Sequence, residues 1–207
     1  MASELHVDAI KHSGGTSALT IDSSGNVKIP GSVVQTVSNT SYGSATYSLS
    51  ANTEQNTLSC SITPKFSNSH MFITVNWYFA PKDSSDDHGL AMRREIGGSL
   101  TGYVNGSTNP DNARGGFTVG SFTREPFFWH DDSPTVSGAS SRVFYDYAVL
   151  PCSAFLKDTY SGTDARTYQL TLGTSGTGKT VYWNKPTAGS DGQAGGNTAI
   201  IIQEIKQ

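Results

Sequence analysis

The chain has 207 residues, enough for one domain with its own hydrophobic core and a short additional segment. Charged residues make up 15% of it and Gly fills 22 positions, whereas an average soluble protein has roughly 25% charged residues and about 7% Gly. The 14 Lys and Arg against 17 Asp and Glu give a net charge of −3, which excludes a protein built mainly to neutralise nucleic-acid phosphates. The low charge and 10% aromatic content are typical of extended β structure.

Residues 1–31 predict a separate small element at the N-terminus. Residues 18–22 and 26–29 read as two short strands joined by a turn in which Gly25 supplies a positive φ. A lone hairpin is marginally stable in water, so we expect this one to pack on its own domain, on copies of itself or on another protein. The candidate docking residues are its apolar side chains: Leu5, Val7, Ile10, Leu19, Ile21, Val27 and Ile29.

The start of the chain lacks a basic segment followed by an apolar one, so no secretory signal is expected. No apolar run approaches the length of about 18 residues that a membrane-spanning helix needs, so no membrane insertion is expected either.

Residues 32–207 predict a β domain of many short strands. In residues 71–79 the side chains alternate, and apolar residues on both faces predict a central strand that is covered on both sides. Residues 143–149 and 166–172 alternate more cleanly, and the three consecutive isoleucines in 198–205 predict burial on both faces. Helical periodicity is nearly absent, and Gly-, Asn- and Pro-rich turns separate the strands. The pattern predicts an all-β fold, an antiparallel β-sandwich or jelly roll.

The N-terminal sequence resembles a known group of proteins. The segments ELHVD (4–8), IKHSGG (10–15) and ALTIDSSG (18–25) closely resemble the leader of many structural proteins of tailed phages, especially marine and cyanobacterial ones. Downstream, SITP (61–64), AMRR (91–94), DSP (132–134), YWN (182–184) and TAIIIQEI (198–205) are similar to a β module in the same proteins. The resemblance implies a virion protein that is tail-fibre-like or head-decoration-like. A collagen-like, coiled-coil or repeated shaft segment is missing.

Residues 173–180, GTSGTGKT, match the phosphate-binding loop pattern. That loop needs a strand before it and a helix after it, whose N-terminus faces the phosphates. The following residues favour a strand, and Pro186 would end a helix early. We therefore interpret the segment as a Gly-rich hairpin turn between two antiparallel strands, and find no nucleophile with an obvious base. The protein is expected not to be an enzyme.

Two clusters combine carboxylates with histidine: Asp83, Asp86, Asp87 and His88, and His130, Asp131 and Asp132. Neither has the ligand spacing of a Ca²⁺ loop, and solvated loop charge explains both, with structural Ca²⁺ as the alternative. The cysteines, Cys60 and Cys152, are too far apart for a short-spaced zinc motif and are expected to be buried free thiols of a protein made in a reducing cytosol. No metal or cofactor is predicted.

The densest aromatic patch is residues 122–130. Core or subunit-interface packing explains it, and the alternative is a surface on which sugar rings stack, with Trp129, His130, Asp131 and Asp132 as candidate glycan contacts. Arg93 and Arg94, next to Glu95, suggest an ion pair between subunits.

Together these observations predict a non-enzymatic structural protein of a tailed-phage virion, assembled in the host cytoplasm. Residues 1–31 would dock onto another virion protein, of the capsid or the tail, and residues 32–207 would project as a homotrimer that covers its sheet edges. A head decoration or cement protein is slightly favoured over a short tail fibre or spike. The alternative is a carbohydrate-binding receptor module acting through loops 83–89, 105–116 and 127–140 on a host surface glycan.

Overall fold

The computed structural model describes residues 7–15, 17–21, 23, 25, 27–81, 88–104, 118–119, 121–123, 128–130, 150–174, 179–184 and 196–207. The strands are β1 (Ala9–Lys11), β2 (Ser17–Ile21), β3 (Val27–Lys28), β4 (Val33–Ser41), β5 (Ala45–Leu49), β6 (Thr53–Ile62), β7 (His70–Pro81), β8 (His88–Ile96), β9 (Ser99–Val104), β10 (Thr118–Val119), β11 (Phe122–Thr123), β12 (Phe128–His130), β13 (Leu150–Asp158), β14 (Arg166–Thr174), β15 (Lys179–Trp183) and β16 (Thr198–Ile205). Within these ranges there is no helix, and every strand pairing is antiparallel. The predicted all-β antiparallel fold is confirmed.

Two larger sheets form the body of the protein. One has six strands in the order β4-β16-β7-β15-β5, with β13 also paired to β7; the other has five in the order β12-β8-β14-β6, with β9 also paired to β8. At Phe79, β7 pairs with Leu150 of β13 and with Trp183 of β15, so β7 is an interior strand. This confirms the central position predicted for residues 71–79.

The two sheets pack face to face around one hydrophobic core, as in a β-sandwich. Alternate residues of the central strands supply it, because successive side chains of a strand point to opposite faces. The fully buried apolar side chains include Met71, Ile73, Val75, Leu90, Met92, Leu156, Tyr168, Leu170, Leu172, Val181, Trp183, Ile200 and Ile202.

Burial on both faces, predicted for residues 198–205, is wrong, and the second face of residues 71–79 is covered only in part. In β7 the second face carries Phe72, Thr74 and Tyr78, which are half-buried, and Asn76, which is exposed. In β16 buried and half-buried residues alternate strictly, so that Ile201 lies on the outer face between two buried neighbours. The strand predicted over 143–149 lies outside the described residues.

Successive strands cross between the sheets. β6 belongs to the five-stranded sheet, β7 to the six-stranded sheet and β8 to the five-stranded sheet again, and β13, β14 and β15 alternate in the same way. Residues 173–180 therefore do not form the predicted hairpin turn, because β14 and β15 lie in different sheets. The strand that begins at Lys179 replaces the helix that a phosphate-binding loop requires. The jelly-roll order of connections stays a prediction, since part of 105–149 is outside the described residues.

The strand directions give the sandwich two distinct ends. Val33 and His70 both pair with Ile205, so the start of β4, the start of β7 and the end of β16 lie at one end, which we call the proximal end. The start of β8 and the end of β14 lie at the other, distal end, where Gly89 pairs with Gly173. β7 has 12 residues, and at about 3.3 Å per residue it spans roughly 40 Å between the ends.

Both cysteines are free thiols on strands, as expected. Cys60 lies on β6 in the core, and Cys152 on β13 is half-buried against it. Burial raises the pKa of both thiols above the ordinary value.

We expect both thiols to react slowly with Ellman's reagent in the native protein at neutral pH, because the thiolate is the reactive form and burial disfavours it. In denaturant two thiols per chain should react at once. A Cys152→Ser variant, which retains only Cys60, is the control and should show one reactive thiol per chain in denaturant. Immediate reaction of two thiols in the native protein would contradict this placement.

Candidate functional site

The N-terminal element is a three-stranded antiparallel sheet in the order β1-β2-β3. The predicted strands at 18–22 and 26–29 are present as β2 and β3, with Gly25 at a φ of 80° between them. β1 was not predicted, because residues 9–11 are too few for a recognisable alternation. Among the described residues these strands pair only with one another.

The register gathers the predicted docking residues on one face of this sheet. Ile10 lies opposite Leu19, and Ile21 lies opposite Val27. Since alternate residues of a strand share a face, Leu19 and Ile21 belong together, and Ile29, two residues beyond Val27, continues the same row. We call these five residues the apolar face.

The apolar face is open to solvent. Ile10 is 52% exposed, Val27 51% and Ile29 43%, while Leu19 and Ile21 at the middle strand are half-buried. Covering such side chains releases about 25 cal/mol for each Å² of apolar surface removed from water. A contiguous exposed apolar patch on a small sheet is a typical protein-binding surface.

Two predicted docking residues fall outside this face. Val7 is half-buried and precedes the first strand, and Leu5 lies outside the described residues. Conversely, Val33 was not among the candidates, yet it is 51% exposed at the start of β4. It lies just past the joint between the element and the sandwich.

A tight turn joins the element to the sandwich. The Ser32 amide donates to the Ile29 carbonyl at 3.1 Å, Pro30 occupies the second turn position, and Gly31 follows with a φ of 77°. These are the features of a type II turn. The Gly31 amide donates to the Lys206 carbonyl at 2.7 Å, and the Lys206 amide donates to the Ser32 carbonyl at 3.1 Å. Backbone hydrogen bonds thus fasten the joint to the C-terminal strand at the proximal end.

A buried carboxylate holds the chain beside this joint. Glu204 is 0% exposed, and its oxygens accept from the amides of Lys65 and Phe66 at 2.9–3.0 Å and from Gln35 Nε2 at 2.7 Å. The carboxylate ties the β6–β7 connection to β16. Sequence reasoning missed this role, because a lone Glu in a strand gives no signal of its partners.

We expect Glu204→Ala to lower the free energy of unfolding by about 1–3 kcal/mol, because it removes the acceptor for two buried amides. Glu204→Gln, which retains one acceptor oxygen, should lose less. The matched control is Gln203→Ala on the outer face, expected within about 0.5 kcal/mol of the parent. Urea unfolding measures all three, and equal loss in Glu204→Ala and Gln203→Ala would contradict the role of Glu204.

A second buried network closes the proximal end between the sheets. Arg94 Nη1 donates to Asp158 Oδ1 at 2.7 Å, and the Tyr168 hydroxyl donates to Asp158 Oδ2 at 2.7 Å. The Arg94 and Arg166 guanidinium carbons lie 4.2 and 5.2 Å from the centre of the Tyr160 ring. Burial, and then the charge of Asp158, raise the pKa of Tyr168 far above its ordinary value. The phenol therefore stays a hydrogen-bond donor.

The ion pair between subunits suggested for Arg93 or Arg94 with Glu95 is made within the chain. Arg93 Nη2 contacts Glu95 Oε1 at 2.6 Å, and Arg93 Nη1 lies 3.6 Å from Glu54 Oε2. Arg94 points the other way, to Asp158. Adjacent residues of a strand face opposite sides, so the two arginines could not share one partner.

Two of the four predicted glycan contacts are described, and both belong to the distal end. Trp129 and His130 lie on β12, where they pair in register with Gly89 and His88 at the start of β8. Asp131 and Asp132 lie outside the described residues, as do Asp83, Asp86 and Asp87. The joint to the docking sheet and these two glycan candidates are therefore at opposite ends of the sandwich.

Within the described parts of the chain, no group of three or more His, Cys, Asp or Glu residues is arranged to hold a metal ion. The same parts contain no helix with the length and apolar character of a membrane span. A scan against models of protein families finds no match to this chain, and a search of curated proteins finds none either.

Proposed function

We propose that the protein is a non-enzymatic structural component of a tailed-phage virion that docks through the apolar face of its N-terminal sheet. The single observation that carries the docking role is the exposure of Ile10, Val27 and Ile29 on one face of a sheet that pairs with no other described strand. The occupant of this face is another virion protein, of the capsid or the tail. The resemblance of residues 4–25 to phage structural leaders supports the virion as the setting.

The arrangement of the docking sheet and the two ends of the sandwich supports this role. The docking sheet joins the proximal end through a turn that is hydrogen-bonded to Lys206. Two buried networks, centred on Glu204 and Asp158, stiffen the same end. The distal end lies roughly 40 Å away. A protein anchored by its N-terminal sheet would thus hold its distal end away from the particle surface.

We propose that the sandwich assembles as a homotrimer on the particle. The outer face of the six-stranded sheet carries Phe155, which is 62% exposed and stacks on Phe72 with ring centroids 5.4 Å apart. Ile201 lies half-buried on the same face. Contact between copies would cover these side chains, and closed symmetry would protect the sheet edges. A head decoration or cement protein remains slightly favoured over a short tail fibre.

A carbohydrate-binding receptor module is the second candidate function. The observation that favours it is the position of Trp129 and His130 on β12 at the distal end, at the opposite end of the sandwich from the joint. An indole ring is a common platform for a sugar ring because it combines an apolar face with a polar edge. In this case the same anchored trimer would present a glycan site to the host.

The test of the virion role is quantitative peptide mass spectrometry of density-purified particles of the phage that encodes the chain. We expect the protein at a fixed copy number relative to the major capsid protein, high for a decoration protein and low for a fibre. A glycan array with the purified protein tests the second candidate. Recovery of the protein only in the soluble fraction of lysed cells would refute the virion role.

A further inference from the structure

The guanidinium of Arg166 is buried at the proximal end without an acidic partner. Arg166 is 1% exposed, and its Nη2 donates to the Gly162 carbonyl at 2.6 Å. Its Nε and Nη1 are also buried, and neither has a hydrogen-bond acceptor among the described residues. Asp164, the closest carboxylate in the sequence, is exposed, and within the same residues no carboxylate forms an ion pair with Arg166. Since arginine stays protonated in proteins, a positive charge and two donor groups are left to satisfy.

The charges around Arg166 do not balance it. The guanidinium carbons of Arg94 and Arg166 lie 4.2 and 5.2 Å from the centre of one ring, that of Tyr160. Asp158 is the carboxylate of this network and binds Arg94 Nη1 at 2.7 Å. Glu204, a further buried carboxylate at this end, is held by backbone amides of the β6–β7 connection. Two cations and one paired carboxylate leave the described part of the network with one positive charge in excess.

We propose that Arg166 binds one small monovalent anion of the chloride class between the two sheets at the proximal end. The anion accepts a hydrogen bond from Nε or Nη1 and offsets the excess charge. A buried charge without a counter-charge is strongly unfavourable, so the folded protein gains stability from the ion. Because Arg166 is 1% exposed, the ion is one that the protein can enclose. The site is independent of the docking role.

The single charge and small size distinguish this anion from sulfate or phosphate. A doubly charged anion would turn the excess of one positive charge into an excess of one negative charge. It would also be harder to remove from water, since the free energy of burying an ion grows with the square of its charge in the Born description. Chloride carries the one charge that the network lacks.

The experiment is urea unfolding of the full-length protein in NaCl and, separately, in sodium gluconate at the same ionic strength. The two salts screen surface charges equally, and gluconate is too large to be enclosed. In chloride the unfolding equilibrium constant should fall about tenfold for each tenfold rise in concentration above the dissociation constant, because one ion binds the folded state. In gluconate it should change far less over the same range.

Two variants show whether Arg166 is the residue that binds chloride. Arg166→Met removes the guanidinium, so the chloride dependence should disappear. Arg93→Met is the matched control, because Arg93 Nη2 contacts Glu95 at 2.6 Å and its Nη1 lies 3.6 Å from Glu54. The charge of Arg93 is thus already offset, and its variant should keep the chloride dependence of the parent. Circular dichroism checks that each variant keeps its β structure.

A second measurement needs no variant. Crystals of the parent protein soaked in NaBr should show an anomalous bromide peak at hydrogen-bonding distance from Nε or Nη1 of Arg166. Any of three results would overturn the site: the same stability of the parent in chloride and gluconate, an equal chloride dependence in the parent and Arg166→Met, or a water molecule in place of bromide beside Arg166.

Discussion

Replacing Asp158 with Ala should lower the free energy of unfolding by about 3–5 kcal/mol, the loss typical of breaking a buried ion pair from one side. The Asp158 side chain is 5% exposed and its partner Arg94 is 11% exposed. Its oxygens accept from Arg94, from the Tyr168 hydroxyl and from the Tyr160 amide at 2.7–3.0 Å. Without the carboxylate, the guanidinium of Arg94 stays buried near that of Arg166, which is 1% exposed.

The matched control is Asp164→Ala, an exposed carboxylate in the connection between β13 and β14, expected within about 0.5 kcal/mol of the parent. Tyr168→Phe, which removes one donor to the carboxylate, should cost about 1.5–3 kcal/mol. Urea unfolding monitored by tryptophan fluorescence measures each variant. A loss below 1 kcal/mol in Asp158→Ala would show that the network is not what closes the proximal end.

The second large effect concerns two adjacent isoleucines of β16. Ile202 is 0% exposed and packs in the core, so Ile202→Ala should lower the free energy of unfolding by about 2–5 kcal/mol through lost transfer energy and a cavity. Ile201 is half-buried on the outer face, so Ile201→Ala should cost about 1 kcal/mol or less in the monomer.

Because both variants replace Ile by Ala in the same strand, comparing them shows whether one face or both faces of β16 are buried. Thermal and urea unfolding measure both variants at a concentration where the protein is monomeric. Equal, large losses in the two variants would restore the two-sided burial that the isoleucine run predicts. If the chain associates as proposed, Ile201→Ala should also weaken that association, which light scattering detects.

The sequence predicted the fold class because its strong signals are local. The alternation at 166–172, the turn at Gly25 and the absence of helical periodicity each depend on a few neighbouring residues. Which sheet a strand joins depends on its contacts with residues that are distant in the sequence. For that reason residues 173–180 look like a hairpin turn although β14 and β15 lie in different sheets.

The same contrast between local and long-range signals explains why only part of the candidate site could be predicted. The apolar residues of the N-terminal element are visible as a pattern, and five of the seven candidates share one face in the observed register. That Asp158 pairs with Arg94, or that His130 lies opposite His88, follows from pairing across 64 and 42 residues. No local signal encodes it. Three consecutive isoleucines likewise indicate a strand without showing which of them faces solvent.

The most direct test of docking compares two acidic substitutions on opposite faces of the N-terminal sheet. Val27→Asp places a charge on the apolar face, and Thr20→Asp places one on the other face, opposite Lys28 in the register. Each variant replaces the parent protein in the phage that we propose encodes the chain, and its copy number in purified particles is measured. Burying an unpaired carboxylate in a docked interface is strongly unfavourable. We therefore predict that Val27→Asp is lost from particles while Thr20→Asp is incorporated like the parent. Equal incorporation of the two variants would contradict docking through the apolar face.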